Sequence, residues 1–298
     1  MEALEQAAHE VEVYENYVER ITSVHNEVRR DVDWQAIAND PRPREPGQTR
    51  GAEIVARDRL QNYRPGFLTN LLGSAEKKKV KLEKEVEAAI KKDKKVHEAA
   101  LAEYRKDVAE WEEQSGLAQR VLAREPEAFA KALEVVGSFS EIQELGSHLE
   151  FQISDSGVVH VTVKVHSKDI VPEHSKSLLK SGRLSEKTLP KGKFFELYQD
   201  YVCGVVLRVA NEVLAVLPVG EVVVTASDDL LDTATGHMRE QPIVSAFVPR
   251  RTIRGLNMDL IDPSDAMENF IHEMAFKKTS GFLPVRQVEP PGQSDQQT

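Results

Sequence analysis

The sequence predicts an α+β protein in which a helical, charge-dense first half precedes a compact domain of strands and helices. Residues 1–147 hold 52 of the 88 charged side chains, a density typical of solvated helix faces. Apolar residues follow a heptad pattern near the N-terminus, whereas beyond residue 148 they alternate with polar ones. We therefore expect a helical arm over residues 1–146, an α+β domain over 147–284 and a disordered tail over 285–298.

The first predicted helix carries the clearest pattern in the chain. Apolar residues recur at intervals of three and four, as in the seam of a coiled coil, and His25 occupies one seam position. The seam comprises Leu4, Ala7, Val11, Tyr14, Val18, Ile21, His25 and Val28. At 1.5 Å per residue this helix would be about 40 Å long.

A second long helix is predicted from Ser74, a potential N-cap, to Gln114. Its lysines are Lys77, Lys78, Lys79, Lys81, Lys84, Lys91, Lys92, Lys94 and Lys95. Glutamates and Asp93 are interleaved with them, so we interpret the run as a solvated face with i,i+4 ion pairs rather than a nucleic-acid patch. We expect the two long helices to form an elongated antiparallel bundle, a coiled-coil-like arm.

The α+β domain is predicted to have the order β-β-α-β-β-α in two layers. Valines at 159, 161, 163 and 165 alternate with polar residues and predict a strand whose hairpin partner is 149–153. Residues 194–217 are predicted to form a long buried helix that ends at Pro218. Strands over 221–227 and 242–248 and a helix from Pro263 to Phe276, capped by Asp262, complete the domain.

Bulk composition excludes several classes of protein. The longest apolar run, 202–219, is interrupted by Arg208, Asn211 and Glu212, so no membrane span is expected. The acidic N-terminus lacks the features of a secretory signal, and the single cysteine, Cys203, fits a reducing cytosol. A net charge of −10 argues against indiscriminate coating of nucleic acid. We expect a cytoplasmic protein without a metal or cofactor.

One arrangement in the second half is reminiscent of nuclease chemistry. Metal-dependent nucleases place an Asp and a Glu-x-Lys on adjacent strands, because carboxylates hold the metal and the lysine positions the nucleophile. Glu150, Asp155 and Lys164 are the candidates here, but position 162 is Thr, where the second metal ligand would stand. The alternative is that Lys164 lies on the solvated face of a hairpin.

Three further groups of polar residues are candidates for binding. Asp228, Asp229 and Asp232 could bind a divalent ion, although a loop rich in turn formers explains them better. Histidines and Glu150 around the first hairpin lack the spacing of a zinc motif. Arg250, Arg251 and Arg254 form a compact basic cluster that could bind a phosphate backbone or an acidic protein.

The sequence therefore favours a non-catalytic cytosolic interaction or scaffold protein. In this interpretation the helical arm positions or dimerises the α+β domain, and the partner is another protein or a second copy bound through helices. The alternative is a nuclease-like, magnesium-dependent enzyme, or a nucleic-acid binder, that uses the α+β domain. No membrane partner is expected.

Overall fold

The structure is a computed structural model that describes residues 2–27, 30–65, 74–137, 146–154 and 157–291. The chain divides into two compact units, one made of residues 1–34 and 120–298 and the other of residues 35–119. The sequence predicts a boundary at 146/147 instead. The difference arises because the first helix and the segment after residue 120 belong with the strands.

The helices are α1 (Glu2–Thr22), α2 (Trp34–Ala38), α3 (Gly51–Gln61), α4 (Ser74–Leu122), α5 (Pro126–Val136), α6 (Lys191–Val216), α7 (Arg250–Ile253) and α8 (Pro263–Ala266). The strands are β1 (Gly146–Ile153), β2 (Val159–Val165), β3 (His174–Leu178), β4 (Leu184–Thr188), β5 (Glu221–Asp232), β6 (His237–Pro249), β7 (Ile271–Lys277) and β8 (Gly281–Leu283). The predicted α+β class is confirmed.

Six strands form one mixed sheet in the order β1-β2-β5-β6-β7-β8, and β3 and β4 form a separate hairpin. The first hairpin has the expected partners, since Phe151 faces Val161 and Ile153 faces Val159. Gly157 in its turn has a φ of 80°, a conformation that glycine adopts without strain. β2 and β5 are parallel, and the connection between them contains β3, β4 and α6.

The core of this unit lies between α6 and the sheet. Every residue of α6 from Asp200 to Val216 is buried, as expected for a helix that is apolar on most of its circumference. One side of α6 contacts β2, β5, β6 and β8, and α1, α8 and the short 3-10 helix Val24–Asn26 pack elsewhere on it. The predicted central helix is thus present with its predicted burial.

The apolar seam of α1 is internal to this unit. Ala7, Val11 and Ile21 are buried, and α1 contacts β3, β4 and α6. The hydroxyl of Tyr17 donates a hydrogen bond to the Ile170 carbonyl at 2.7 Å, and Lys176 Nζ lies 3.0 Å from Glu10 Oε2. The expectation that this seam serves a helical bundle is corrected, because the β3–β4 hairpin and α6 cover most of it, while Leu4 at its start stays exposed. Val28, the last predicted seam residue, lies outside the described residues.

The C-terminal region differs from the prediction in two places. Asp262 caps α8 as expected, accepting hydrogen bonds from the backbone of Ser264 and Asp265, but the helix ends at Ala266 and β7 follows at Ile271. The predicted helix to Phe276 was wrong because residues 271–274 pair with β6 instead.

The chain after Pro284 also departs from the predicted disordered tail, at least as far as residue 291. Val288 is buried with Val158, Val223 and Phe247, and its backbone N–H donates to Ser245 Oγ at 3.0 Å. The apolar contact and the hydrogen bond together hold this segment on the sheet face opposite α6.

The second unit, residues 35–119, is built on α4. This helix has 49 residues and continues through Gly116, where the sequence predicts a break. Two other parts of the unit contact α4: residues 39–50, which include three prolines, and α3. Trp111 Nε1 donates to the Asp40 carbonyl at 2.8 Å, and the buried carboxylate of Asp93 accepts hydrogen bonds from the backbone N–H groups of Ala52 and Glu53. Asp93 thereby satisfies the free N–H groups at the positive end of α3.

Candidate functional site

The predicted arginine cluster is largely structural. Arg250 donates to the carbonyls of Leu214, Leu217 and Val219, at the C-terminal end of α6, and its guanidinium lies 2.7 Å from an Asp31 oxygen. The last carbonyls of a helix lack intrahelical partners and favour a nearby cation. Arg250 therefore caps α6, although burial lowers the pKa of its guanidinium.

The other two arginines differ from each other. Arg254 pairs with the same Asp31 carboxylate and also reaches Asn211 Oδ1 at 3.4 Å, so it belongs to the same structural network. Arg251 is exposed. Of the three residues predicted to bind a phosphate backbone or an acidic protein, Arg251 is thus the one whose side chain is directed into solvent.

Lys164 lies in a polar cluster on the sheet face opposite α6. Its Nζ is 2.9 Å from Asp229 Oδ2 on β5 and 3.6 Å from Glu240 Oε2 on β6. Ser227 donates to the other Glu240 oxygen at 2.7 Å. The strand register explains this convergence, since Lys164 is the partner of Ser227, and Asp229 the partner of Glu240.

Of the predicted nuclease set, Glu150 and Lys164 lie on the same face of the sheet. Glu150 on β1 is the Cα partner of Thr162, two residues before Lys164 on β2, and is exposed. Asp155 lies outside the described residues. The apolar pattern predicts strands over 221–227 and 242–248 and gives no sign that β5 extends to Asp229 or that β6 begins before Glu240. The sequence therefore does not connect these two residues with Lys164.

Asp228, Asp229 and Asp232 lie in β5, which extends to Asp232 and pairs with β6, and not in the loop that the sequence predicts. Their side chains point in different directions. Asp228 is buried on the α6 side, where Tyr198 donates to it at 2.7 Å and Ser167 at 3.0 Å, while the next residue, Asp229, faces Lys164. Adjacent residues of a strand lie on opposite faces. Asp232 accepts a hydrogen bond from the Ala234 backbone, which lowers the pKa of its carboxyl. They form no common ion site.

The chemistry available to the Lys164 cluster follows from its charges. The hydrogen bond with Asp229 raises the pKa of Lys164, so the amine stays protonated and cannot serve as a base. Its ammonium lies between the two carboxylates, and a divalent ion would have to displace it. Among the described residues, no group of three or more His, Cys, Asp and Glu side chains is placed to hold a metal.

Cys203 has no features of a nucleophile. Its thiol is buried inside α6, and burial raises its pKa. A thiol attacks as its thiolate, so this environment keeps it unreactive.

The apolar side chains of residues 35–119 are poorly covered, in contrast to the buried core of the α+β unit. In the described part of this unit the buried residues are Val86, Asp93, Ser115 and Ala118. Ile54 and Val55 of α3 are 62% and 52% exposed, and Val96 of α4 is 47% exposed. Val80 and Ile90 are exposed as well. The described part of the unit has almost no core of its own.

The lysines of α4 are distributed unevenly around the helix. At about 100° per residue, seven of them fall within an arc of about 140°. We call this arc the lysine face; it comprises Lys77, Lys78, Lys81, Lys84, Lys91, Lys92 and Lys95. Glu85 is the acidic residue that shares it, because the neighbouring acidic residues of α4 project elsewhere.

The lysine face also lacks the ion pairs that the sequence predicts. Among the described residues, Lys94 is the lysine of α4 with a carboxylate partner, Glu98 at 3.9 Å, and Lys94 lies outside the face. Lys78 stands over the ring of Tyr63, 5.6 Å from its centroid. The interpretation of a paired, solvated face is corrected, because lysines and glutamates that alternate in sequence project in different directions. A helical projection of the sequence would have separated them.

The described helices include none with an apolar stretch long enough to cross a membrane. Comparison of the chain with protein-family models, curated proteins and solved structures finds no match.

Proposed function

We propose that this protein is a non-catalytic cytosolic interaction protein, in which residues 35–119 bind a protein partner and thereby position the α+β unit. The observation that carries the proposal is the exposure of Ile54, Val55 and Val96 in a unit whose described residues form almost no buried core. Helices in water are stabilised mainly by burying an apolar face. A protein surface that covers these side chains would supply that burial.

The α+β unit supports the same proposal by contrast. It has a large core between α6 and the sheet, most of the α1 seam is covered, and two of the predicted binding arginines pair with Asp31 beside α6. Its exposed aliphatic residues, among them Leu178, Leu179 and Leu260, therefore belong to a unit that is stable without a partner. Its polar residues are mutually paired at Lys164. The described part of residues 35–119 differs because its exposed aliphatic side chains are not balanced by a buried core, which supports placing the partner surface there.

The test is purification of the full chain at native abundance, with identification of what is retained. An interaction variant carries Ile54→Gln, Val55→Gln and Val96→Gln, and a control variant carries Leu178→Gln, Leu179→Gln and Leu260→Gln. All six side chains are exposed aliphatic residues, so the variants differ in location and not in chemistry.

We expect the wild type and the control variant to retain one protein in stoichiometric amount, either another protein or a second copy. We expect the interaction variant to lose it. If all three chains retain the same proteins, or none retains any, residues 35–119 are not the binding unit.

The second candidate function is a nucleic-acid-processing enzyme, and the observation in its favour is the convergence of Lys164, Asp229 and Glu240. It predicts magnesium-dependent cleavage of DNA or RNA that is abolished by Lys164→Ala and by Glu240→Gln. Absence of cleavage by the wild type, with magnesium or manganese present, would exclude it.

A further inference from the structure

The lysine face of α4 has the properties of a polyanion site. It carries seven ammonium groups and one carboxylate, and within the described residues no ion pair neutralises any of the seven. We propose that this face binds the phosphate backbone of double-stranded nucleic acid without sequence preference. This goes beyond the proposed function, which rests on different side chains of the same unit.

The dimensions of the face fit a duplex. From Lys77 to Lys95 the helix rises about 27 Å, a length over which duplex DNA carries on the order of 16 phosphate charges. An α-helix of about 10–12 Å diameter also fits a major groove about 12 Å wide. Neutralising phosphates releases condensed counterions, which drives sequence-independent binding.

The composition of the face discriminates between partners. It has no arginine and no amide side chain, which are the usual readers of base edges, so we expect no sequence preference. No position of α4 within the face is aromatic, and the Tyr63 ring beside it is covered by Lys78, whereas single-stranded nucleic acid is held largely by stacking on aromatic rings.

A membrane or an acidic protein fits the face less well than a duplex. Between Lys77 and Lys95 the apolar residue of the face is Ala88, and Val96 lies at its edge one residue beyond, so the face offers one small aliphatic side chain to insert between lipid chains or into a protein pocket. The side of α4 that carries Asp93 and Trp111 is covered by the segment around residues 40–53. The lysine face is turned away from it by about half a helical turn.

The test compares two variants of the full chain with the same change in net charge. The lysine-face variant carries Lys81, Lys84, Lys91 and Lys95, each replaced by Gln. The control variant has Gln at four exposed lysines of the α+β unit, Lys168, Lys180, Lys187 and Lys191. Glutamine is a good helix former, so α4 is expected to persist, and circular dichroism checks this. Binding to a fluorescent random-sequence 24-base-pair DNA duplex is measured by anisotropy between 25 and 200 mM KCl.

We expect the wild type and control to bind the duplex with affinity that falls steeply with salt. In the lysine-face variant the affinity should fall at least tenfold at low salt. The slope of log K against log salt should shrink by about 3 to 4, because each lost phosphate contact removes about 0.9. The interaction variant should bind the duplex like the wild type, which separates this inference from the proposed function.

Three results would overturn the inference. The first is that the wild type does not bind the duplex. The second is that the two lysine variants lose the same affinity, which would mean that only overall charge matters. The third is lysine-face-dependent binding to phosphatidylserine vesicles, or to a poly-glutamate probe, without binding to the duplex.

Discussion

Arg250 is predicted from the sequence to bind a partner, but in the structure it stabilises the end of α6. Its guanidinium reaches three carbonyls at the end of α6, and residues 32–34 approach the same end, since Val32 N–H and Trp34 Nε1 donate to the carbonyls of Ala215 and Val216. Trp34 therefore helps to hold the preceding chain against the end of α6.

We predict that Arg250→Ala lowers the free energy of unfolding by about 3 kcal/mol, because it leaves buried helix carbonyls and Asp31 without partners. The matched control, Arg251→Ala, removes an exposed arginine and should change it by less than about 0.5 kcal/mol. Urea denaturation of both variants measures the difference. Equal losses would contradict the capping role.

Asp200 gives a prediction for pH. Burial raises the pKa of its carboxyl to about 6, and the single hydroxyl proton of Ser264 is shared between Asp200 and Asp262. A protonated Asp200 can donate to Ser264 Oγ, which leaves the Ser264 proton for Asp262. The folded chain therefore binds this proton more tightly than the unfolded chain, whose Asp has a pKa near 3.9.

The direction of the pH dependence of stability follows from which state binds the proton. Between about pH 4 and pH 6 the folded state holds the proton and the unfolded state does not, so Asp200 makes stability fall as the pH rises through this window. Asp200→Asn mimics the protonated form and removes that fall. We expect thermal unfolding to show the variant gaining stability over the wild type from pH 4 to pH 8. A difference that does not depend on pH would contradict the assignment.

At the scale of elements, α1 belongs to the α+β unit. We predict that Val11→Asp lowers the free energy of unfolding of this unit by about 2–4 kcal/mol, because an ionised carboxylate would enter an apolar interface. Val13→Asp is the control on the same helix, since Val11 is 8% exposed and Val13 is 53% exposed. If both substitutions are tolerated equally, α1 does not pack on β3, β4 and α6.

Elements with one dominant period could be predicted from the sequence, and those with two possible interpretations could not. The alternating valines of β2 and the apolar circumference of α6 admit one interpretation, and the structure has both elements. Ala266, Phe270, Ile271 and Met274 suit a helix as well as a strand, and pairing with β6 decides the outcome. Local sequence does not contain that information.

The seam of α1 shows that local sequence also does not identify the elements that pack on an apolar face. Heptad spacing identifies an apolar face but does not identify what covers it, and here a hairpin and α6 do so. The Lys164 cluster depends likewise on the long β5–β6 pairing. The lysine face of α4 could have been found from the sequence, because helical geometry alone separates its lysines from the glutamates.

For the whole molecule, the two units have different roles. The α+β unit has a large buried core, whereas the described part of residues 35–119 combines exposed aliphatic side chains, a minimal core and the lysine face. We expect the interaction variant to lose its protein partner without losing thermal stability, because exposed side chains contribute little to the fold.

The most direct test of this division is photo-crosslinking in cells from benzoylphenylalanine placed at Val55 in the full chain. The same group at Lys180, an exposed position of the α+β unit, serves as the control. We predict one discrete adduct from position 55, with a second copy or another protein, and none from position 180. No adduct from position 55, or the same adducts from both positions, would contradict the assignment of binding to residues 35–119.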